Sequence, residues 1–61
     1  MLVMFTDAQT ELSVAVNPKF VVVVFIAKDE AGDKTVINTT TGNLVVKQEY
    51  AEVIGALQGQ L

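Results

Sequence analysis

Phe20-Val21-Val22-Val23-Val24-Phe25-Ile26-Ala27 is an unbroken apolar run in which neither parity of the two-residue strand repeat carries a polar side chain. A strand with one wet face alternates; this one asks for both faces to be dry. The chain has 61 residues, enough to cover one face of a small sheet and little more. The second face is therefore expected to meet another copy of the molecule or another protein. Phe20, Val22, Val23, Val24, Phe25 and Ile26 are the first interface candidates.

Composition points the same way. A chain this short exposes a large surface, yet its hydrophobic fraction is 51%. Ordering each residue costs roughly 1.5 kcal/mol, and small monomers end near zero net stability on that basis. Burying a further Val or Phe against a partner contributes roughly 1.5–3 kcal/mol each. There is no cysteine, which removes disulfides and thiolate metal sites. The formal charge is −3, and Lys19, Lys28, Lys34 and Lys47 are the only cations beside no arginine. Nucleic-acid binding needs clustered Lys and Arg to neutralise phosphates, so it is not expected. Met1 to Phe5 lacks the basic start of a signal peptide and is cut off by Thr6-Asp7. The apolar run is also far shorter than the roughly 20 residues of a spanning helix. These features predict an intracellular protein without membrane insertion, forming one domain over residues 1–61.

Outward from the apolar run, the periodicity predicts five strands and a helix. Leu2 to Phe5 is β-prone, and Thr6 to Thr10 interrupts it. Glu11 to Val16 alternates, with Leu12, Val14 and Val16 on one side. Asn17-Pro18 turns the corner, because Pro18 fixes its own φ and restricts Asn17. The central strand follows from Phe20 to Lys28. Lys28 to Lys34 reads as a hairpin loop, with Gly32 supplying a left-handed position. Thr35 to Thr39 and Leu44 to Lys47 complete the strands around a turn at Thr41-Gly42-Asn43. Tyr50, Val53, Ile54 and Leu57 then recur at the spacing of one helical face, with Glu49 and Glu52 near the N-terminus, where the macrodipole favours anions. These four join the interface candidates. Gly55 weakens the helix by about 1 kcal/mol relative to Ala, which points to a close approach to the sheet or a neighbour, and Gly59 serves as its stop. The expected fold is mainly β (α+β): a five-stranded antiparallel twisted sheet or small open barrel with one C-terminal helix.

Chemistry is sparse. Without His, Cys or Arg, proton transfer near neutrality, thiol attack and guanidinium clamping have no carriers, so no enzymatic activity and no cofactor are expected. Ser13, the one serine, sits on an alternating strand without a base. Asp29, Glu30 and Asp33 lack the spacing of a calcium loop and read as a solubilising tip. Thr39-Thr40-Thr41 suits a strand end and turn better than an anion or sugar site. Phe5, Phe20, Phe25 and Tyr50 are too dispersed to stack nucleic-acid bases and read as core or interface anchors. Lys47-Gln48-Glu49 forms the solvated approach to the helix, where Lys47 is a possible partner contact.

The order of features resembles the small FlbD/SwrD family associated with flagella and swarming. The matching residues are Val16-Asn17-Pro18, Thr35-Val36-Ile37, Thr41-Gly42, Val45-Val46-Lys47 and Glu49, Glu52, Val53 and Ile54. Small uncharacterised phage-type proteins share the strand, Gly turn, strand, helix ending. The chain departs from the family pattern in lacking a Gly between Thr6 and Thr10 and in staying apolar through Phe25-Ile26-Ala27. The resemblance implies a small β-rich architecture without catalytic residues, and a virion location if the chain is of phage origin. Three roles follow as expectations. The first is a homo-oligomeric structural or assembly module, the second an adaptor docking on a different protein, and the third a ligand or metal site in a pocket between subunits.

Overall fold

Two hairpin-built sheets and a helix enclose the core. A computed structural model describes residues 2–30 and 32–59, with β1 (Val3–Thr6), β2 (Ser13–Val16), a single 3-10 turn (Pro18–Phe20), β3 (Val21–Asp29), β4 (Gly32–Thr39), β5 (Gly42–Val46) and α1 (Tyr50–Gln58). The fold is thus mainly β with one C-terminal helix. The expected five-stranded sheet or small open barrel is corrected: β1 and β2 form one antiparallel sheet, and β3-β4-β5 form another. The sheets meet at one corner, through an isolated bridge between Asp7 and Val46.

The separation has a local cause. At Asp7 the chain leaves the strand, and the Asp7 carboxylate accepts hydrogen bonds from the Gln9 and Thr10 amides at 2.7 and 2.9 Å. This winds Asp7 to Leu12 into a tight loop closed by Asp7 N–H to Leu12 C=O at 2.9 Å. Glu11 takes a positive φ of 61° within it. Pairing between β1 and β5 stops where the loop begins, after the bonds from Lys47 N–H to Thr6 C=O and from Ala8 N–H to Val45 C=O.

Register decides which side chains are covered. Val3 lies opposite Val16 and Phe5 opposite Val14, which places these four on one face of the first sheet. In the second sheet Val24 lies opposite Ile37 and Ile37 opposite Leu44, giving the inner face. Phe5, Val16, Ile37, Val46, Val53 and Leu57 form the buried cluster, with Val21 and Val24 packed against it. Helix α1 contributes Val53 and Leu57 at one-turn spacing, so it covers the inner face of the larger sheet.

Several boundaries move. The Lys28–Lys34 loop shrinks: β3 runs to Asp29 and β4 resumes at Gly32, whose φ of 118° is positive, as expected of a glycine there. Lys28, Asp33 and Lys34 belong to the ladder, while Ala31 lies outside the described residues. Phe20 belongs to the 3-10 turn capped by the Asn17 side chain, not to β3. Gly55 makes no close approach, since a Cβ there would meet nothing within 4 Å. Gly59 follows the last helical residue as expected, but in right-handed conformation, with its N–H bonded to Gly55 C=O at 3.1 Å.

Candidate interaction surface

Strand β3 pairs with β4 on one side, and no described strand pairs its other edge. Its ladder is interrupted once, by a bulge between Val21 and Val23. The extra residue, Val22, is 66% exposed. From Val23 to Asp29 the register is regular. Val23, Phe25 and Ala27 lie opposite Asn38, Val36 and Lys34, and Val36 lies opposite Val45, so these residues share the outer face. Val24 and Ile26 lie on the inner face, opposite Ile37 and Thr35.

The result is an apolar strand covered on neither side along much of its length. Of the nine large hydrophobic side chains exposed among the described residues, five are Phe20, Val22, Val23, Phe25 and Ile26. On the outer face, Val36 is only 6% exposed although it stands outside the core cluster, because it is flanked on both sides by strand neighbours. Phe25 and Val23, one strand further out, lack that second neighbour. On the inner face Val24 is half-buried against the core, but Ile26, near the hairpin, extends beyond it at 47% exposure.

The helical candidates divide. Val53 and Leu57 are buried within the chain's own core and leave nothing for a partner to touch. Ile54 is half-buried and Tyr50 exposed, next to the open end of β3. A groove of about 540 Å³ lies here, between Ile26, Thr35, Val46 and Tyr50. Three of its polar side chains are engaged internally. Lys34 pairs with Asp29 at 2.9 Å, and Lys47 with Glu11. The Gln48 side chain accepts the Thr6 N–H at 3.0 Å and donates to the Thr6 hydroxyl at 3.3 Å. That link, which closes the corner between the sheets, carries no sequence signal: a lone Gln after a strand looks like any solvated residue.

The remaining candidates have structural partners. The Thr39 hydroxyl donates to Gly42 C=O at 2.9 Å and accepts the Thr41 N–H at 3.3 Å, closing the β4–β5 turn. Among the described residues, no group of three carboxylate, imidazole or thiol side chains is placed to hold a metal ion. No described helix is long and apolar enough to cross a membrane. Two carboxylates are held below their ordinary pKa: Asp7 by the backbone amides of Thr10 and Gln9, and Glu11 by its hydrogen bond to Lys47. Both are loop anchors. The chain matches no protein-family model, and no curated protein or solved structure is significantly similar to it. The likeness to the FlbD/SwrD pattern therefore rests on its residues alone.

Proposed function

We propose that this protein is a non-enzymatic module that acts by self-association, as a structural or assembly component. The observation that carries the reading is β3: a nine-residue strand on the rim of its sheet, apolar on both faces, with one edge unpaired by any described strand. Isolated proteins usually blunt such an edge with charge, proline or a covering element. Here the side chains from Val21 to Ala27 are all uncharged and apolar. Exposed apolar surface of this continuity marks a protein-protein contact. The polar groups do the opposite work, being engaged in loops, turns and the corner between sheets.

Solution mass tests the reading. One chain weighs 6.6 kDa, and the protein at micromolar concentration is expected to scatter light as at least twice that mass. A mass of 6.6 kDa across a wide dilution range, with a folded spectrum, would overturn self-association. The apolar strand would then belong to a contact with a different protein, which is the adaptor role.

A further inference from the structure

We infer that the partner at β3 is a second copy of this chain, joined edge to edge. Two β3 strands pair antiparallel about a two-fold axis through Phe25, normal to the sheet. This deepens the self-association reading and rests on it. The axis keeps the inner face of one copy on the same side as the inner face of the other. Within the regular stretch, Phe25 then lies opposite its own copy, Val23 opposite Ala27 and Val24 opposite Ile26, and each pair joins residues of the same face. A shift of one residue would set inner-face against outer-face side chains. A shift of two towards the bulge would shorten the ladder, and a shift of two the other way would set Val23 against Asp29 and Val24 against Lys28, apolar against charged, whereas the Phe25 axis pairs apolar residues throughout Val23 to Ala27.

Two observations favour this arrangement, the first over stacking of sheet faces and the second over parallel pairing of the same edges. The first is that exposure is two-sided: Val23 and Phe25 are open on the outer face and Ile26 on the inner. A sheet stacked on the outer face would leave Ile26 wet, whereas a lateral strand sits beside both sets at once and also pairs the edge N–H and C=O groups. The second is charge. The hairpin end of β3-β4 carries Lys28, Asp29, Glu30, Asp33 and Lys34, two cations against three anions, for a net −1. The other end carries Lys19 as its charged residue, beside Thr39, Thr40 and Thr41. Antiparallel pairing brings the Lys19 end of each copy to the acidic hairpin end of the other. Parallel in-register pairing would set Lys28, Asp29 and Glu30 against their own copies. The product is one six-stranded sheet, β5-β4-β3-β3-β4-β5.

The absence of native cysteine allows a direct test on the full chain. Directly opposed residues of an antiparallel pair have Cα atoms about 4.5–5.5 Å apart, within disulfide range. Under mild oxidation, F25C is expected to cross-link to a covalent dimer. V23C and A27C should each stay uncross-linked alone and yield a mixed dimer when combined. V45C, two strands from the axis, should not cross-link. These outcomes together support the pairing. If F25C perturbs folding, the V23C and A27C mixture reports the same register without touching Phe25. Cross-linking of V45C but not of F25C or the mixture, in a protein whose wild type is still dimeric, would overturn the edge and indicate stacked faces. Self-association would stand. A wild type that is monomeric at every concentration would overturn the underlying reading as well. F25K provides an independent measure, because it sets two lysines against each other on the axis: mass should halve while the circular dichroism spectrum is kept. An unchanged mass would count against the pairing.

Discussion

Strands β3 and β4 lie side by side with their hydrophobicity and burial reversed. β4, Gly32-Asp33-Lys34-Thr35-Val36-Ile37-Asn38-Thr39, is the more polar strand, and its middle three residues are buried. β3 is apolar from Val21 to Ala27 and has no buried residue. Position in the sheet makes the difference. β4 has a strand on each side, so even the outward Val36 is covered by neighbours; β3 has one neighbour, and its excess apolar surface stays exposed in the single chain. Hydrophobicity beyond what the fold of the single chain uses is the observation on which the proposed self-association rests.

Substitutions on the two strands put this contrast at risk. Ile37 is fully buried, and Ile37→Ala is expected to cost about 2–5 kcal/mol in denaturant titration. Ile26→Ala on β3 removes the same atoms from an exposed site. It should leave the unfolding of the single chain within about 1 kcal/mol and weaken self-association instead, seen as a loss of mass on dilution. Equal losses of folding stability would abolish the distinction between the strands. Charge sharpens it further: Val36→Asp should unfold much of the protein, since it buries a carboxylate without a partner, while Val23→Asp should remain folded but monomeric. A Val23→Asp protein that melts like wild type and keeps its mass would remove β3 from the interface.

The layer over the inner face allows a smaller test. At Gly55, on the open side of α1, nothing stands within 4 Å of an added Cβ. Gly55→Ala should stabilise the protein by about 1 kcal/mol through helix propensity. Destabilisation, or loss of mass in solution, would mean that a partner covers the helix as well as β3.

The smallest effect concerns pH. Asp7 and Glu11 are held below their ordinary pKa in the folded chain, so the unfolded chain binds more protons as the solution is acidified. Their stabilisation is present above the ordinary carboxylate range and is lost as pH falls through the folded values. Melting temperature should therefore decline on acidification, and Asp7→Asn should flatten the decline. Because the loop they anchor joins the smaller sheet to β5, an unchanged pH profile in Asp7→Asn would show that the corner does not depend on it.

Element types were legible in the sequence because their periods are strong. Val14 and Val16 face inward as alternation required, and Val53 and Leu57 bury the stripe of α1. Leu12, on the same parity, is exposed because the chain leaves the strand at the positive φ of Glu11, a conformation that glutamate does not announce. The bulge at Val22 was hidden for another reason: four consecutive valines look alike to a two-residue repeat, so a slipped residue leaves no trace in the pattern. The division into two sheets was also invisible. It depends on where β1 stops pairing with β5, and that is decided by three-dimensional capping at Asp7 and by the Gln48–Thr6 bonds across 42 residues. As for the site, the apolar run identified the strand, but register alone separated Val24, which packs inward, from Ile26, which on the same face stays open.

The corner where Asp7 meets Val46 also bears on how the chain finds its fold. Each sheet is assembled from sequence neighbours, β1 with β2 and β3 through β5 in order, so both can form quickly with little loop-closure entropy. Long-range closure is concentrated at the amides of Ala8 and Lys47 and the Thr6–Gln48 contact, together with the shared core. Hydrogen exchange at Ala8 and Lys47 is thus expected to report opening of the junction between the sheets, whereas exchange along the β3–β4 ladder reports opening of the larger sheet itself. Opening of the junction ahead of the ladder would bare the inner face of the larger sheet as well as its rim, and a second chain reaching β3 then would pair with a partner only half folded.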